Sequence, residues 1–144
     1  DFVVDPNQVY HAKLMMADAV LLIVALYSEE QLRTLIQHAT EAMVDALVEV
    51  HDESELDTAV SAGARIIGVN NRNLKDFTVS LEVSDRLVSQ IPDSCVKVVE
   101  SGIFTHDHIQ RLKTVGYDAF LVGEALVTAD NPVELLRSLR GVSE

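Results

Sequence analysis

The stretch from Ala62 to Leu74, AGARIIGVNNRNL, decides the fold class of this chain. A glycine ends a helical pattern, residues 66–69 have the pattern of a buried strand, and polar residues 70–73 follow the strand. A similar joint, VGYDA, occurs at residues 115–119 before another apolar run. Two such helix-to-strand connections predict a repeating strand-helix architecture. In such folds, ligands bind at the carboxyl ends of the strands. Asn and Gly also form ordinary turns, so the polar run alone leaves both interpretations open.

Five continuous apolar runs fit strands buried on both faces of a parallel sheet. They are Ala19–Ala25, Ala46–Val50, Ile66–Val69, Val96–Val99 and Ala119–Val122. The segments between and after them have helical periodicity. They are Glu29–Ala42, Glu53–Ala62, Leu81–Ile91, His106–Val115 and Pro132–Leu139. The fold class is therefore α/β.

A doubly wound sheet and a barrel both satisfy this pattern, although no Gly-rich dinucleotide fingerprint follows any strand. A complete barrel needs eight strand-helix units and roughly 250 residues. The five runs and a shorter stub at Phe2–Val4 predict five to six units within 144 residues. We therefore expect an incomplete barrel.

Composition limits the partners and the location. The net charge is −12, which argues against nucleic acid or an anionic membrane as a partner but not against a small phosphorylated ligand. No apolar run has the ~20 residues of a membrane span. The single cysteine, Cys95, fits a reducing cytoplasm. The five histidines lack metal-ligand spacing, so no metal site is expected.

Polar residues follow the predicted strands. Glu49 lies in an apolar strand, where burial is expected to raise its pKa and suit it to acid–base chemistry; an ion pair at the strand end is the alternative. His51 lies on the same side of that strand and is either its partner or a solvated side chain. Near the end of the chain, Ser101-Gly102 and Gly123 follow successive strands, as in many phosphate-binding barrels.

Seven motifs together resemble the indole-3-glycerol phosphate synthase family. They are DF at 1–2, DPNQVY at 5–10, ADAVLLI at 17–23, LVEVH at 47–51, GVNNRNL at 68–74, ESGI at 100–103 and LVGEAL at 121–126. The resemblance extends over essentially the whole chain.

The resemblance implies a TIM-barrel lyase of tryptophan biosynthesis that works without a cofactor. It cyclises, decarboxylates and dehydrates 1-(2-carboxyphenylamino)-1-deoxyribulose 5-phosphate. The family's catalytic positions correspond to Glu49, Asn70 and Glu100. The phosphate-binding positions correspond to Ser101, Gly102, Gly123 and Glu124, and the other substrate-binding positions to Phe2, Leu21, Arg72, Leu74 and Leu121.

The resemblance also implies that this chain is the C-terminal part of one barrel domain. Family strands one, two and most of three, with a general-acid lysine directly before Asp1, lie outside it. We therefore expect the chain to be inactive alone, and to self-associate or pair with the missing part. The alternatives are another phosphate-binding barrel, related to phosphoribosyl-anthranilate isomerase, and a non-catalytic phosphate-binding or assembly fragment. Met16 and Ala42 occupy positions where the family usually has glycine.

Overall fold

The computed structural model describes residues 2–142, which form a five-stranded parallel sheet with helices between the strands. The strands are β1 (Ala19–Ile23), β2 (Asp45–Val50), β3 (Ile66–Asn70), β4 (Val96–Glu100) and β5 (Ala119–Leu121). The helices are α1 (Pro6–Leu14), α2 (Glu29–Glu41), α3 (Glu53–Ala62), α4 (Glu82–Leu87), α5 (His106–Val115), α6 (Glu124–Thr128) and α7 (Pro132–Leu139). Short 3₁₀ turns follow β1 and α4.

The order of the strands decides between the two predicted architectures. The order is β1-β2-β3-β4-β5, with every pair parallel. A doubly wound sheet reverses its order at a switch point, whereas right-handed crossovers in a sequential sheet put every helix on one face. The five strands are therefore part of a barrel.

The two faces of the sheet differ chemically. Leu22, Val48, Val50, Ile67 and Val99 are fully buried in the hydrophobic core against the helices. The opposite face holds the alternate residues, and near the carboxyl ends of β2, β3 and β4 these residues are polar. The register of the sheet thus collects the polar strand ends at one edge of the inner face.

The predicted starts of α2 and α5 and the predicted ends of α3 and α5 are confirmed. Ser28 and Thr105 cap the amino termini of α2 and α5, because their hydroxyl groups accept from backbone N–H groups in the first turn. Gly63 and Gly116 end α3 and α5 in the left-handed conformation, with φ of 93° and 112°.

Two expectations about local structure are wrong, and one helix was not predicted. Phe2–Val4 forms no strand. Helix α1 was not predicted, although Asp5 caps it with Gln8 in a reciprocal capping box. Leu81–Ile91 is not one helix, since the chain leaves α4 through a 3₁₀ turn before Pro92, whose ring disfavours helical backbone at the preceding residue.

Two methionines occupy the left-handed backbone region that glycine adopts most readily. Met16 precedes β1 with φ of 62°, and Met43 precedes β2 with φ of 55°. Ala42, in contrast, has ordinary right-handed backbone. The position that favours glycine is therefore Met43, one residue after the position expected from the sequence.

None of the helices in residues 2–142 has the length and apolar character that a bilayer crossing requires.

Candidate active site

Two carboxylates and an amide lie together at the carboxyl ends of β2, β3 and β4. Glu49, Asn70 and Glu100 are 3%, 8% and 3% exposed. The register pairs Asn70 with Glu100 and Glu49 with Gly68, so the three side chains project from the same face of neighbouring strands. The structure therefore brings together the three residues that the sequence singled out as catalytic.

The two carboxylates have opposite pKa shifts. Burial tends to raise the pKa of Glu49, but contacts with His51, Asn70 and Glu100 outweigh it and hold the pKa below its ordinary value. Burial and the adjacent Glu49 charge raise the pKa of Glu100 to about 8. The expectation of a raised pKa at Glu49 is therefore wrong. At neutral pH, Glu49 is ionised and Glu100 carries a proton.

His51 is the cationic neighbour of this pair. Its Nε2 lies 3.2 Å from Glu49 Oε1, and its Nδ1 lies 3.0 Å from Glu55 Oε2. These two carboxylates raise the pKa of His51 to about 9. The His51 side chain is mostly buried, so this is the partner arrangement and not the solvated one.

Asn71 ties the loop after β3 to β4 and α4. Its Nδ2 donates to the carbonyl oxygens of Glu100 and Ser101, each at 3.2 Å. Its Oδ1 accepts from the backbone N–H of Ser84 at 3.1 Å and from the Ser84 hydroxyl at 2.8 Å. Asn71 is 2% exposed, and all its bonds are satisfied inside the protein. It therefore fixes the backbone that follows Glu100.

A cavity of about 360 Å³ opens next to Glu100. Its lining includes Arg72, Glu100, Leu121 and all four predicted phosphate-binding residues, Ser101, Gly102, Gly123 and Glu124. Ser101 and Gly102 are consecutive left-handed residues, with φ of 64° and 78°. Both residues therefore adopt the backbone region that glycine enters most readily, in a bend at the edge of the cavity.

Arg72 is the cation at this cavity. Its guanidinium forms an ion pair with the Glu124 carboxylate, and its Nη1 donates to the carbonyl oxygen of Phe77 at 3.4 Å. Arg72 thus links the loop after β3 to the start of α6.

The predicted apolar wall is only partly assembled. Leu121 lines the cavity and Leu21 is half-buried on the same face of the sheet. Phe2 and Leu74 are 62% and 43% exposed and do not line it. Leu74 lies in a turn of the loop between Arg72 and Val79, which pair in an isolated bridge.

Two residues that shape the site were given no individual role by the sequence reasoning, although Asn71 lay in the polar run after the predicted strand. Gly68 leaves room for the Glu100 side chain, and Asn71 holds the adjacent loop. The glycine inside the strand was the available signal for Gly68, since it often marks a close approach of another group. No group of three or more His, Cys, Asp and Glu side chains in residues 2–142 is placed to hold a metal ion.

Comparison with known proteins identifies the family of this site. The sequence model that describes indole-3-glycerol phosphate synthase matches residues 1–139. The chain belongs to the indole-3-glycerol phosphate synthase family. The synthase of Chlorobium limicola is 51% identical over 126 residues, which are 88% of this chain and 49% of that protein. The synthase of Koribacter versatilis is 46% identical over 98% of this chain and 54% of that protein. The chain thus spans about half the length of these synthases.

Solved structures with low sequence identity share the fold of this synthase-family chain. A 3-hexulose-6-phosphate synthase from Salmonella typhimurium superposes with a TM-score of 0.80 at 18% identity, covering 97% of this chain and 68% of that one. A thiamine phosphate pyrophosphorylase from Pyrococcus furiosus has a TM-score of 0.71 at 17% identity, covering 99% and 79%. These likenesses extend to the fold alone.

Proposed function

We propose that this chain supplies the C-terminal half of an indole-3-glycerol phosphate synthase active site. The reaction is ring closure of 1-(2-carboxyphenylamino)-1-deoxyribulose 5-phosphate, with loss of carbon dioxide and water, in tryptophan biosynthesis. The observation that carries the proposal is the buried Glu49–Glu100 pair, in which one carboxylate is ionised and the other protonated. Family membership sets the reaction to which this pair is assigned.

The pair fits the proton movements of the reaction. Ring closure requires a proton at the substrate's carbonyl oxygen, and the later dehydration requires removal of a proton from the new ring. An ionised Glu49 can accept a proton, and a neutral Glu100 can donate a hydrogen bond to an oxygen. The Asn70 amide contacts Glu49 and is assigned to orientation of the reacting end of the substrate.

The cavity beside Glu100 accounts for the rest of the substrate. We assign the phosphate to the loop of Ser101 and Gly102, with Gly123 and Glu124 opposite. Arg72 supplies positive charge for an anionic group, and Leu121 supplies apolar surface for the aromatic ring, with Leu21 on the same face of the sheet. Phe2 and Leu74 complete the apolar wall in this proposal, although neither lines the cavity. A protonated Glu100 favours an anionic ligand because it adds no negative charge.

The proposal includes a partner polypeptide and a location. Within residues 2–142, β1 and β5 each pair with a single strand, so each has one edge available for further strands. We expect these edges to pair with a polypeptide that supplies the remaining units, or with a second copy of the chain. We also assign the protein to the cytoplasm, where tryptophan precursors are made and where the free thiol of Cys95 persists.

The test is formation of indole-3-glycerol phosphate, followed by its fluorescence. The chain is assayed alone and mixed with the N-terminal part of the Koribacter versatilis synthase that does not align with it, and the intact synthase is the positive control. We expect turnover in the mixture, and a loss of roughly 10²-fold or more in Glu49→Gln. Glu41→Gln, on the outer surface of α2, is the matched control and leaves turnover unchanged.

Three results would overturn parts of the proposal. Unchanged turnover in Glu49→Gln removes the role of Glu49. Turnover by the chain alone removes the need for a partner polypeptide. If the mixture forms a complex without turnover while inorganic phosphate still shifts the amide resonances of Ser101 and Gly102, the chain is a phosphate-binding fragment and not half of a working enzyme.

A further inference from the structure

His51 is held between two carboxylates from different elements. Glu49 on β2 faces its Nε2 at 3.2 Å, and Glu55 on α3 faces its Nδ1 at 3.0 Å. The backbone N–H of His51 also donates to the same Glu55 oxygen, at 2.8 Å. One carboxylate oxygen therefore receives both the backbone and the ring of His51, which sets the direction of the ring.

Glu55 is itself fixed by the start of α3. Asp52 caps the helix, and its Oδ1 accepts from the backbone N–H of Glu55 at 2.9 Å. Glu55 is the third residue of the helix, from which a glutamate commonly returns to the backbone N–H of the capping residue. Here its side chain reaches one residue further back, to His51. The local sequence thus positions a carboxylate against the ring nitrogen that faces away from Glu49.

The geometry suits a protonated ring. A neutral imidazole donates from only one nitrogen, whereas an imidazolium donates from both and so suits two acceptors. The titratable groups that face His51 are Glu49 on β2, Glu55 on α3 and, next to Glu49, Glu100 on β4. The carboxylates of Glu49 and Glu55 raise the pKa of His51 to about 9, so the ring is charged at neutral pH.

Three buried atoms of this cluster have no well-aligned hydrogen-bond partner in the described part of the chain. They are Glu49 Oε1, His51 Nε2 and Glu100 Oε1. Buried polar atoms are normally satisfied, and exceptions concentrate where a reacting or bound group is received. His51 and Glu49 therefore form an ion pair without a well-aligned hydrogen bond. His51 Nε2 can still donate, and Glu49 Oε1 can still accept, a hydrogen bond.

We infer that His51, oriented by Glu55, is a positioning residue that keeps Glu49 ionised and leaves the proton of the acidic pair on Glu100. The inference rests on the proposed function. It identifies the groups that determine which of the two carboxylates is ionised and which is protonated. His51 has no contact with substrate in this account and acts through Glu49. Glu55 contacts the ring nitrogen that faces away from Glu49 and acts through His51.

The first test is a pH titration of the imidazole nitrogens by NMR, on the whole chain. The variants are Glu55→Gln, which keeps the shape of the side chain and removes its charge, and His51→Asn, which assigns the His51 signals among the five histidines. Glu41→Gln, which removes the carboxylate beside the half-buried His38, is the matched control. We expect His51 to titrate near pH 9, and about one unit lower or more in Glu55→Gln. Glu41→Gln leaves the His51 curve in place.

The second test is the carboxyl carbon titration of Glu49 and Glu100. In Glu55→Gln the weaker cation beside Glu49 lets the pKa of Glu49 rise, and the pair then shares its proton more evenly. A His51 that titrates near 6.5 in the unsubstituted chain, or that does not respond to Glu55→Gln, overturns the inference. So does a Glu49 signal that is the same in both proteins.

Turnover in the mixture described above separates this inference from the proposed function. If the mixture is active, Glu55→Gln lowers kcat about tenfold and moves the acidic limb of the pH profile upward, with KM unchanged. An active mixture whose pH profile is unaffected overturns the role of His51 and leaves the proposed function standing. An inactive mixture together with the expected titrations overturns the proposed function, and His51 still sets the protonation of the pair.

Discussion

The carboxylate of Glu100 lies directly over the Cα of Gly68 on the neighbouring strand. A β-carbon at position 68 would overlap Glu100 Oε1, and would lie 3.0 Å from Glu100 Cδ and 3.1 Å from Leu47 Cδ1. The space that Glu100 occupies beside Glu49 therefore exists because position 68 has no side chain. One glycine in the middle of a strand allows the acidic pair to form.

Gly68→Ala should displace Glu100 and destabilise the protein. Because the methyl group and the carboxylate cannot share the space, one of them must move into a packed environment. We expect a loss of about 1–3 kcal/mol in the free energy of unfolding, measured by urea denaturation. The pKa of Glu100 should also fall from about 8 as its side chain moves away from Glu49.

Gly123→Ala is the control for that substitution. A β-carbon at position 123 would meet no atom within 4 Å, and the backbone there has ordinary negative φ. We expect a change within about 0.5 kcal/mol. Equal losses in the two variants would show that the contact with Glu100 is not what makes Gly68 necessary.

Asn71→Ala should be among the more damaging substitutions outside the apolar core. It removes four hydrogen bonds: the Ser101 carbonyl oxygen and the N–H and hydroxyl of Ser84 lose the Asn71 partner, whereas the Glu100 carbonyl oxygen keeps the backbone N–H of residue 71. We expect a loss of about 2–4 kcal/mol by urea denaturation. Asn73→Ala, which removes only an exposed bond to the N–H of Lys75, should lose about 0.5 kcal/mol or less. A small loss of unfolding free energy in Asn71→Ala would contradict the stabilising role of these hydrogen bonds.

Stability should fall as pH rises from neutral to mildly alkaline values. Glu100 has a raised pKa in the folded state, so the folded protein binds more protons than the unfolded one from the ordinary glutamate pKa up to about 8. His51, raised to about 9, adds stability that is complete below its ordinary pKa and lost as pH passes 9. Glu49 has the opposite shift, and its contribution is lost only on the acidic side.

The measurement is the free energy of unfolding at several pH values from about 6 to 9, for the unsubstituted chain and Glu100→Gln. The glutamine does not titrate, so the slope between pH 6 and 8 should be shallower in this variant. Identical slopes would mean that Glu100 is not protonated in the folded protein.

Met43→Gly should stabilise the protein although it removes a side chain. Met43 is 77% exposed, so little packing is lost, and glycine adopts its φ of 55° without strain. We expect a gain of about 0.5–1 kcal/mol, seen as a higher urea midpoint. Ala42→Gly should instead destabilise by about 1 kcal/mol, because Ala42 is buried and right-handed. A loss in both would assign a packing role to Met43.

Much of the fold was predictable because local and tertiary preferences agree in it. The bounds of α3 and α5 match the sequence prediction, since a capping residue, an apolar stripe and a left-handed glycine all point to the same ends. Helix α1 was not predicted because Val9 is its only buried residue, so its sequence lacks the apolar stripe of an amphipathic helix. Its remaining signal was the capping box of Asp5 and Gln8 with Pro6 at the first position.

The sequence predicted which residues form the candidate site, but it did not predict the direction of the Glu49 pKa shift. The carboxyl ends of parallel strands meet at one edge, so Glu49, Asn70 and Glu100 could be grouped from the sequence alone. The sign of the Glu49 pKa shift depends on which charges lie within a few ångströms. Glu100 comes from a strand two places along the sheet, and Glu55 from the next helix. The sequence offered His51 as a neighbour of Glu49, but the charge on His51, and therefore the direction of the Glu49 pKa shift, depends on these contacts in the assembled structure.

The bonding of Asn71 has a consequence for redesign. Its amide holds the main-chain oxygens of residues 100 and 101 and the main chain and hydroxyl of Ser84, and touches no side chain that faces the cavity. The hydrogen bonds that hold the loop therefore do not involve the side chains of Glu100 and Ser101, which line the cavity. Because these bonds go to main-chain atoms of residues 100 and 101, substitution of either side chain should leave the bonds to Asn71 in place, provided that Asn71 and Ser84 are kept. This part of the barrel is a natural place to install a new reaction.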